Sequence, residues 1–128
     1  MFFSQGIDIV SVARIKAAIE NGGSRFLERV FTPAERKYCR GRPRVFEHYA
    51  VRFAAKEAFL KALGDRASAI RLNQIEVAKR PSGKPVIRLN PRLYKKAGLP
   101  LSVHIALSLS HEKETAVACV TLLSVSGD

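Results

Sequence analysis

A chain of 128 residues is long enough for one domain with its own core, expected over residues 1–128 with a frayed tail at 124–128. The hydrophobic share of 47% and the charged share of 26% exclude an intrinsically disordered chain. The net charge of +11 is unusual and predicts attraction to nucleic acid, a membrane surface, a phosphorylated cofactor or an acidic protein.

The first half of the chain predicts a strand followed by helices. The expected segments are a strand at 2–10, helices at 12–21, 33–41 and 44–63, and a short helix or a turn at 24–30. Ser11 is a suitable N-cap for the first helix, and Thr32 with Glu35 forms the pattern of a capping box. Gly64 is expected to end a long central helix, because glycine readily adopts the left-handed conformation past a helix terminus.

The second half of the chain predicts mainly strands. The expected segments are strands at 74–79, 85–89, 103–110 and 115–123 and a short helix at 91–96. The intervening residues 80–84 read Arg-Pro-Ser-Gly-Lys and predict a hairpin turn. The order of a strand, then helices, then antiparallel strands predicts an α+β fold.

The central helix carries a carboxylate on an otherwise apolar face. At helical spacing Glu57 shares a stripe with Tyr49 and Phe53, and Lys61 follows one turn later. The opposite face is apolar as well, so we expect the helix to be buried on two sides. In so small a chain, a second subunit is a candidate to cover one of those sides.

Two carboxylates from separate elements suggest a metal site. Asp8 interrupts an apolar segment near the start, and an ionised carboxylate such as Glu57 is costly to bury unless it is paired or binds a metal. Magnesium is typically held by one or two carboxylates together with substrate phosphates. A structural alternative stays open, in which Asp8 hydrogen-bonds the start of the next helix and Glu57 pairs with Lys61.

The other polar side chains have both functional and structural interpretations. His111 lies at a strand end, where it either meets a ligand or occupies an ordinary surface turn, whereas His48 and His104 belong to no ligand cluster. Three arginines either bind phosphate or keep the central helix solvated: Arg42, Arg44 and Arg52.

Cysteine usage and the first residues predict a cytoplasmic protein. Cys39 and Cys119 are too few for a disulfide scaffold and lack zinc-site spacing, so we expect reduced thiols. No basic stretch precedes the first apolar residues, which argues against a secretion signal. No apolar run approaches the roughly 18 residues of a membrane-spanning helix.

Several segments together resemble a known enzyme family. Gly6-Ile7-Asp8 and the helical segment 52–64, which reads RFAAKEAFLKALG, resemble the paired signature of 4′-phosphopantetheinyl transferases. The segments at 31–35 (FTPAE), 83–85 (GKP) and 108–111 (SLSH) are similar to the short bacterial branch of that family, the holo-acyl-carrier-protein synthases. The resemblance covers nearly the whole chain.

The resemblance implies a reaction and a set of site residues. Such enzymes transfer the 4′-phosphopantetheine arm of coenzyme A to a serine of an apo-acyl carrier protein and release 3′,5′-ADP. Asp8 and Glu57 match the ligands of a catalytic magnesium ion, and Lys61 matches a lysine that contacts the phosphates. Further positions match the family's coenzyme A site: Arg44, Arg52, Gly64, Lys84, Pro85 and His111.

The resemblance also implies partners. Arg14 matches a carrier-docking arginine, and Arg25 and Phe26 lie where the family continues that surface. Because carrier proteins of this class are acidic, a basic surface would steer their encounter. The short members of the family are homotrimers with active sites between subunits, so we expect a homotrimer here.

Two other functions explain part of the sequence. A small basic RNA-binding module would account for the charge, but such modules usually expose aromatic side chains for base stacking, whereas Phe53 and Phe59 are expected to be buried. A non-catalytic partner of the carrier protein would not need Asp8, Glu57 and Lys61. We therefore expect the transferase, with neither nucleic acid nor a membrane as its partner.

Overall fold

Helices and strands follow one another in an α+β order. The computed structural model describes residues 1–125 of the chain. Within that part the strands are β1 (Phe2–Ser11), β2 (Glu76–Lys79), β3 (Pro85–Arg88), β4 (His104–His111) and β5 (Thr115–Ser124), and the α-helices are α1 (Val12–Val30), α2 (Pro33–Cys39), α3 (Val45–Leu63) and α4 (Pro91–Lys96). Short 3-10 helices at Gly64–Ala69 and Leu72–Gln74 lie between α3 and β2.

The three longest strands form one antiparallel sheet in the order β1-β5-β4. β5 lies in the middle, where Ala118 pairs with Asp8 of β1 on one side and with Leu109 of β4 on the other. β2 and β3 form a separate antiparallel hairpin. Its turn is closed by a 2.9 Å hydrogen bond from Arg80 N to the carbonyl of Lys84, which confirms the predicted hairpin.

The predicted helix starts are confirmed. Ser11 Oγ accepts a 3.3 Å hydrogen bond from Arg14 N at the start of α1. Thr32 Oγ1 accepts from Glu35 N at 3.2 Å, while Glu35 Oε1 accepts from Thr32 N at 2.9 Å, which completes the capping box. The predicted interruption of the first helix at 21–23 is confirmed, because Gly23 has a non-helical backbone with a φ of 57°, and this kink divides α1 into two helical parts.

The longest predicted helix is present as α3, one residue shorter at its start than expected. Gly64 forms its C-cap with a φ of 63°, as predicted from the freedom of glycine, and Arg44 forms its N-cap in the left-handed region with a φ of 56°. Both sides of α3 are covered within one chain, by β1 and β5 on one side and by α1, α2 and β2 on the other. The two-sided burial of this helix therefore requires no second subunit.

Gly6 allows β1 to lie directly against α3. A Cβ atom added at this residue would overlap the carbonyl oxygen of Ala58 and lie 2.7 Å from the backbone nitrogen of Ala62. Only glycine permits so close an approach of two backbones. Ser4 Oγ also donates a 2.6 Å hydrogen bond to the Ala62 carbonyl. This contact brings Asp8, two residues after Gly6, beside the same helix.

A fully buried ion pair joins α3 to α2. Lys56 Nζ lies 2.6 Å from Glu35 Oε1, and neither side chain is exposed. The ammonium also donates to the carbonyls of Leu72 and Ile75, at 3.0 and 2.6 Å, and Glu35 Oε2 accepts from Val77 N at 2.7 Å. Burial lowers the pKa of Lys56, and the Glu35 charge opposes that shift. The spacing of residues along the chain did not predict this pair.

The end of the described chain is ordered further than predicted. Ser124 belongs to β5, pairs with Phe2 and is 2% exposed, so its assignment to a frayed tail is wrong. The next residue, Val125, is 79% exposed. The tail prediction for residues 126–128 lies outside the described residues. None of the helices found in residues 1–125 has the length and apolar character of a membrane span.

Replacing Lys56 with Met should lower the free energy of unfolding by about 3–5 kcal/mol, because Glu35 would remain buried without its counter-charge. The matched control is Lys37→Met at an exposed position of α2, which should change stability by less than about 0.5 kcal/mol. Urea denaturation measures the free energy of unfolding of both variants. Equal midpoints for the two variants would contradict a structural role for the pair.

Candidate active site

The two predicted metal-binding carboxylates lie in one cavity. Asp8 of β1 and Glu57 of α3 line a cavity of about 360 Å³ between β1, α1 and α3. The cavity is also lined by Ile9, Val10, Ser11, Arg14, Ile15 and Phe53. The structure thus brings together residues that are far apart in the sequence, and it places the predicted docking residue Arg14 beside them.

Lys61 pairs with Asp8 and not with Glu57. Its Nζ lies 3.0 Å from Asp8 Oδ1 and donates a 3.0 Å hydrogen bond to the Ile7 carbonyl. The lysine side chain is 57% exposed, whereas that of Asp8 is 17% exposed. Since Ser11 caps α1 and Lys61 takes Asp8 as its partner, neither part of the structural alternative matches the observed contacts.

Glu57 lies in an environment that disfavours its negative charge. Burial raises the pKa of its carboxyl, the charge of Asp8 raises it further, and Lys61 only partly opposes the shift. Two carboxylates that repel each other across one cavity fit a divalent cation. Residues 1–125 contain no group of three or more His, Cys, Asp or Glu arranged for a metal, so the donor set fits an ion that also takes water or substrate oxygens.

A second cavity, of about 180 Å³, lies on another side of α3. It is lined by three predicted coenzyme A residues, Arg52, Pro85 and His111, together with His48, Val51, Val77, Lys79, Gly83 and Leu109. His111 Nδ1 lies 2.9 Å from Glu47 Oε1, which fixes the imidazole at the rim. The pKa of the His48 imidazole is lowered, first by burial and then by the charge of Arg52.

Arg52 is buried without a matching negative charge. The residue is 3% exposed, and its Nη1 donates a 3.1 Å hydrogen bond to the His48 carbonyl. Among the described residues its Nε has no hydrogen-bond partner, and no carboxylate forms an ion pair with it. A buried cation is costly unless it is paired, so this geometry indicates a site for an anionic ligand.

The two cavities point away from each other. Arg52 and Glu57 are five residues apart on α3, which places them roughly 140° apart around the helix axis. Arg44 and Gly64 lie at opposite ends of the same helix, and Lys84 lies in the turn of the β2–β3 hairpin. A single chain therefore does not gather all the predicted coenzyme A residues around Asp8 and Glu57.

The two remaining docking candidates lie in the part of α1 after the kink. Arg25 is exposed, as a docking residue requires. Phe26 is only half-exposed, because its ring packs edge-on against Phe31 with 6.5 Å between the ring centres. Neither residue lines the cavity of Asp8 and Glu57.

Sequence reasoning missed several residues around Arg52. His48 was assigned to no ligand cluster but lines the Arg52 cavity, and Lys79 does so from the end of β2. His48 precedes Arg52 by one helical turn, so the spacing on α3 was a signal that could have linked them. Tyr38 also lies beside Arg52, and its place in the short helix α2 offered no such signal.

Comparison with known proteins identifies relatives over most of the chain. Residues 4–120 match the family model described as the 4′-phosphopantetheinyl transferase superfamily. A holo-acyl-carrier-protein synthase from Desulforudis audaxviator is 46% identical over 118 residues, which cover 92% of this chain and 90% of the relative. A holo-acyl-carrier-protein synthase from Geobacter sulfurreducens is 45% identical and covers 95% of this chain and 98% of its own.

Solved structures agree with these relatives. A complex described as Chronobacterium ammoniagenes ACPS-CoA superposes with a TM-score of 0.82 at 30% identity, and covers 95% of this chain and 97% of that one. A holo-acyl-carrier-protein synthase from Bacillus anthracis, solved in complex with CoA (3′,5′-ADP), has a TM-score of 0.73 at 34% identity. The match covers 93% of this chain and 94% of that one. The similarity therefore extends from sequence to the whole fold.

Proposed function

Because the chain belongs to the 4′-phosphopantetheinyl transferase superfamily, we propose that it is a holo-acyl-carrier-protein synthase. It transfers the 4′-phosphopantetheine group from coenzyme A to a serine of apo-acyl carrier protein, in support of fatty acid synthesis. The serine oxygen forms a bond to the β-phosphorus, and the bond to the adenosine-bearing phosphate breaks, which releases 3′,5′-ADP. The observation that carries the proposal is the meeting of Asp8, Glu57 and Lys61 at one cavity.

We assign the carboxylates of this cavity to a magnesium ion. Asp8 and Glu57 would hold the ion, which when bound would neutralise charge on the pyrophosphate of coenzyme A. Lys61 adds a positive charge at the same place, because its ammonium pairs with Asp8 and its side chain is 57% exposed. In phosphoryl transfer, such positioning and charge neutralisation supply most of the catalysis.

Glu57, or a water that it would position beside the metal, is our candidate for the base that accepts the serine proton. Its carboxyl is half-buried and lines the cavity in which the serine would meet coenzyme A. The apolar walls of the cavity, such as Ile15 and Phe53, limit access of water to the reacting groups. Arg14 at the edge of the cavity is placed to contact an acidic carrier protein that presents its serine there.

We place the adenosine end of coenzyme A against the Arg52 side of the protein. Arg52 supplies a buried positive charge, and Pro85 and His111 line the same cavity. We assign further contacts with coenzyme A to Arg44, Gly64 and Lys84, which are exposed. Within one chain these residues lie apart from Asp8 and Glu57, so a complete site requires a neighbouring subunit.

The exposed face of the sheet supports a homotrimer with active sites between subunits. Phe3, Ile7 and Ile9 project from β1 with 59%, 62% and 70% of their surface exposed. Large apolar side chains grouped on one exposed strand face mark an interaction site. A second copy of the chain is its proposed occupant, because the face continues into the Asp8 cavity through Ile9. The free thiols of Cys39 and Cys119 fit our assignment to the cytoplasm.

Replacing Glu57 with Gln should reduce kcat by at least about 100-fold, because the variant keeps the shape of the side chain but loses the charge that binds metal and accepts a proton. Intact-mass spectrometry of apo-acyl carrier protein with coenzyme A and magnesium measures transfer as the gain of one phosphopantetheine. Glu112→Gln, at an exposed turn, is the control and should retain full activity. If the wild-type protein modified no competent carrier, the proposed function would be wrong.

Replacing Arg14 with Glu should raise KM for the carrier protein about tenfold or more, because a like charge would face an acidic partner. The affinity for coenzyme A, measured by titration calorimetry, should stay nearly unchanged. Arg80→Glu, in the β2–β3 turn, is a control with the same change of charge. Equal losses of carrier and coenzyme A affinity in Arg14→Glu would contradict a docking role.

Replacing Ile7 with Glu should dissociate the trimer, because the charge would be buried between subunits. Size-exclusion chromatography with light scattering should give three times the chain mass for the wild type and a smaller mass for the variant. Leu101→Glu is the control, since Leu101 is 77% exposed but lies outside this face. A wild-type protein that remains monomeric at micromolar concentration would exclude the trimer.

A further inference from the structure

Three positively charged side chains surround one aromatic ring beside the Arg52 cavity. The guanidinium carbons of Arg42 and Arg52 lie 3.8 and 4.2 Å from the centre of the Tyr38 ring, and the ammonium of Lys79 lies 5.3 Å from it. All three distances fall within the range in which a cation is attracted to the face of an aromatic ring. We refer to Tyr38, Arg42, Arg52 and Lys79 as the Tyr38 cluster.

The members of the Tyr38 cluster come from four separate segments. Tyr38 lies near the end of α2, Arg42 in the turn that follows, Arg52 on α3 and Lys79 at the end of β2. Arg42 Nε also donates a 2.7 Å hydrogen bond to the Tyr38 carbonyl, which fixes its guanidinium above the ring. Tyr38 is therefore the common contact through which three distant cations keep a defined arrangement.

The positive charges of the cluster are not balanced within the chain. Over residues 1–125, no carboxylate forms an ion pair with any of its three cations. The carboxylates nearest the adjoining cavity are already engaged, since Glu35 pairs with Lys56 and Glu76 accepts a hydrogen bond from Thr32. Like charges gathered without a counter-charge repel each other, so an anion bound among them would be stabilised.

We propose that Tyr38 is a positioning residue that holds Arg42 and Arg52 in place for the 3′-phosphate of coenzyme A, an inference that rests on the proposed function. Coenzyme A carries phosphate at two places, a pyrophosphate and a 3′-phosphomonoester. The pyrophosphate is assigned to the Asp8 and Glu57 side of α3, so the phosphomonoester remains for the opposite side. A planar guanidinium binds phosphate through two parallel hydrogen bonds and gains most from a fixed orientation.

The phenol of Tyr38 contributes a second contact to the cluster. A hydrogen bond with Lys79 is the largest cause of a lowered pKa at the Tyr38 hydroxyl, and the charges of Lys79, Arg42 and Arg52 act in the same direction. The ring thus orients the two guanidinium groups, and the hydroxyl orients the ammonium. The two parts can be separated by substitution, because phenylalanine keeps the ring and removes only the hydroxyl.

The test compares ligands with and without a 3′-phosphate. Titration calorimetry measures binding of adenosine 3′,5′-bisphosphate and of AMP to the wild type, Tyr38→Phe and Tyr38→Leu. Loss of the three cation–π contacts should weaken bisphosphate binding about tenfold in Tyr38→Leu, and loss of the hydroxyl should weaken it about threefold in Tyr38→Phe. AMP binding should change less than about twofold in both variants. Tyr94→Phe, on α4, is the matched control and should behave as the wild type.

Kinetics separate positioning from a merely structural role. With saturating carrier protein, Tyr38→Leu should raise KM for coenzyme A about tenfold and leave kcat within about twofold, whereas partial unfolding would lower kcat and leave KM unchanged. Unchanged bisphosphate affinity, or equal losses for bisphosphate and AMP, would overturn the proposal. If Tyr38→Leu does not fold, Tyr38→Phe decides by the same comparison of ligands. Absence of carrier modification by the wild type would refute the proposed function separately, since the calorimetric comparison needs no turnover.

Discussion

The buried ion pair between Lys56 and Glu35 is the constraint on which the rest of this structure depends. Both groups are removed from water, so each must find its hydrogen bonds inside the protein. Lys56 binds carbonyls that precede β2, and Glu35 binds the backbone at the start of α2 and within β2. One pair thereby fixes α2, α3 and the hairpin relative to each other, and breaking it would leave several polar groups unsatisfied.

α3 separates two chemically different surfaces. Lys56 points into the protein on the α2 side, while the next residue, Glu57, lines the cavity beside β1. The side that contains Lys56 also carries Arg52 and collects positive charge, whereas the β1 side collects two carboxylates. Such a division suits a substrate with a metal-bound pyrophosphate and a separate phosphomonoester, and it explains why the proposed active site needs parts of two subunits.

The net charge of +11 gains a structural meaning from this arrangement. Part of it is concentrated around Tyr38, where cations lie beside an aromatic ring without carboxylate partners among the described residues. Another part lies on α1, where Arg14 reaches the edge of the carboxylate cavity. In the proposed function this charge serves two kinds of anion, a phosphorylated cofactor and an acidic protein, and RNA binding is not needed to explain it.

The sequence by itself determined the local structure and the family. Caps such as Ser11 and Thr32, the glycine at 64 and the hairpin at 80–84 depend on residues close in the chain, so their patterns predicted them correctly. Only the tertiary structure decided which partner each charge takes. Lys61 binds Asp8, Lys56 binds Glu35 and Arg52 stacks on Tyr38, because the packing of distant segments selects among many possible partners that periodicity cannot distinguish.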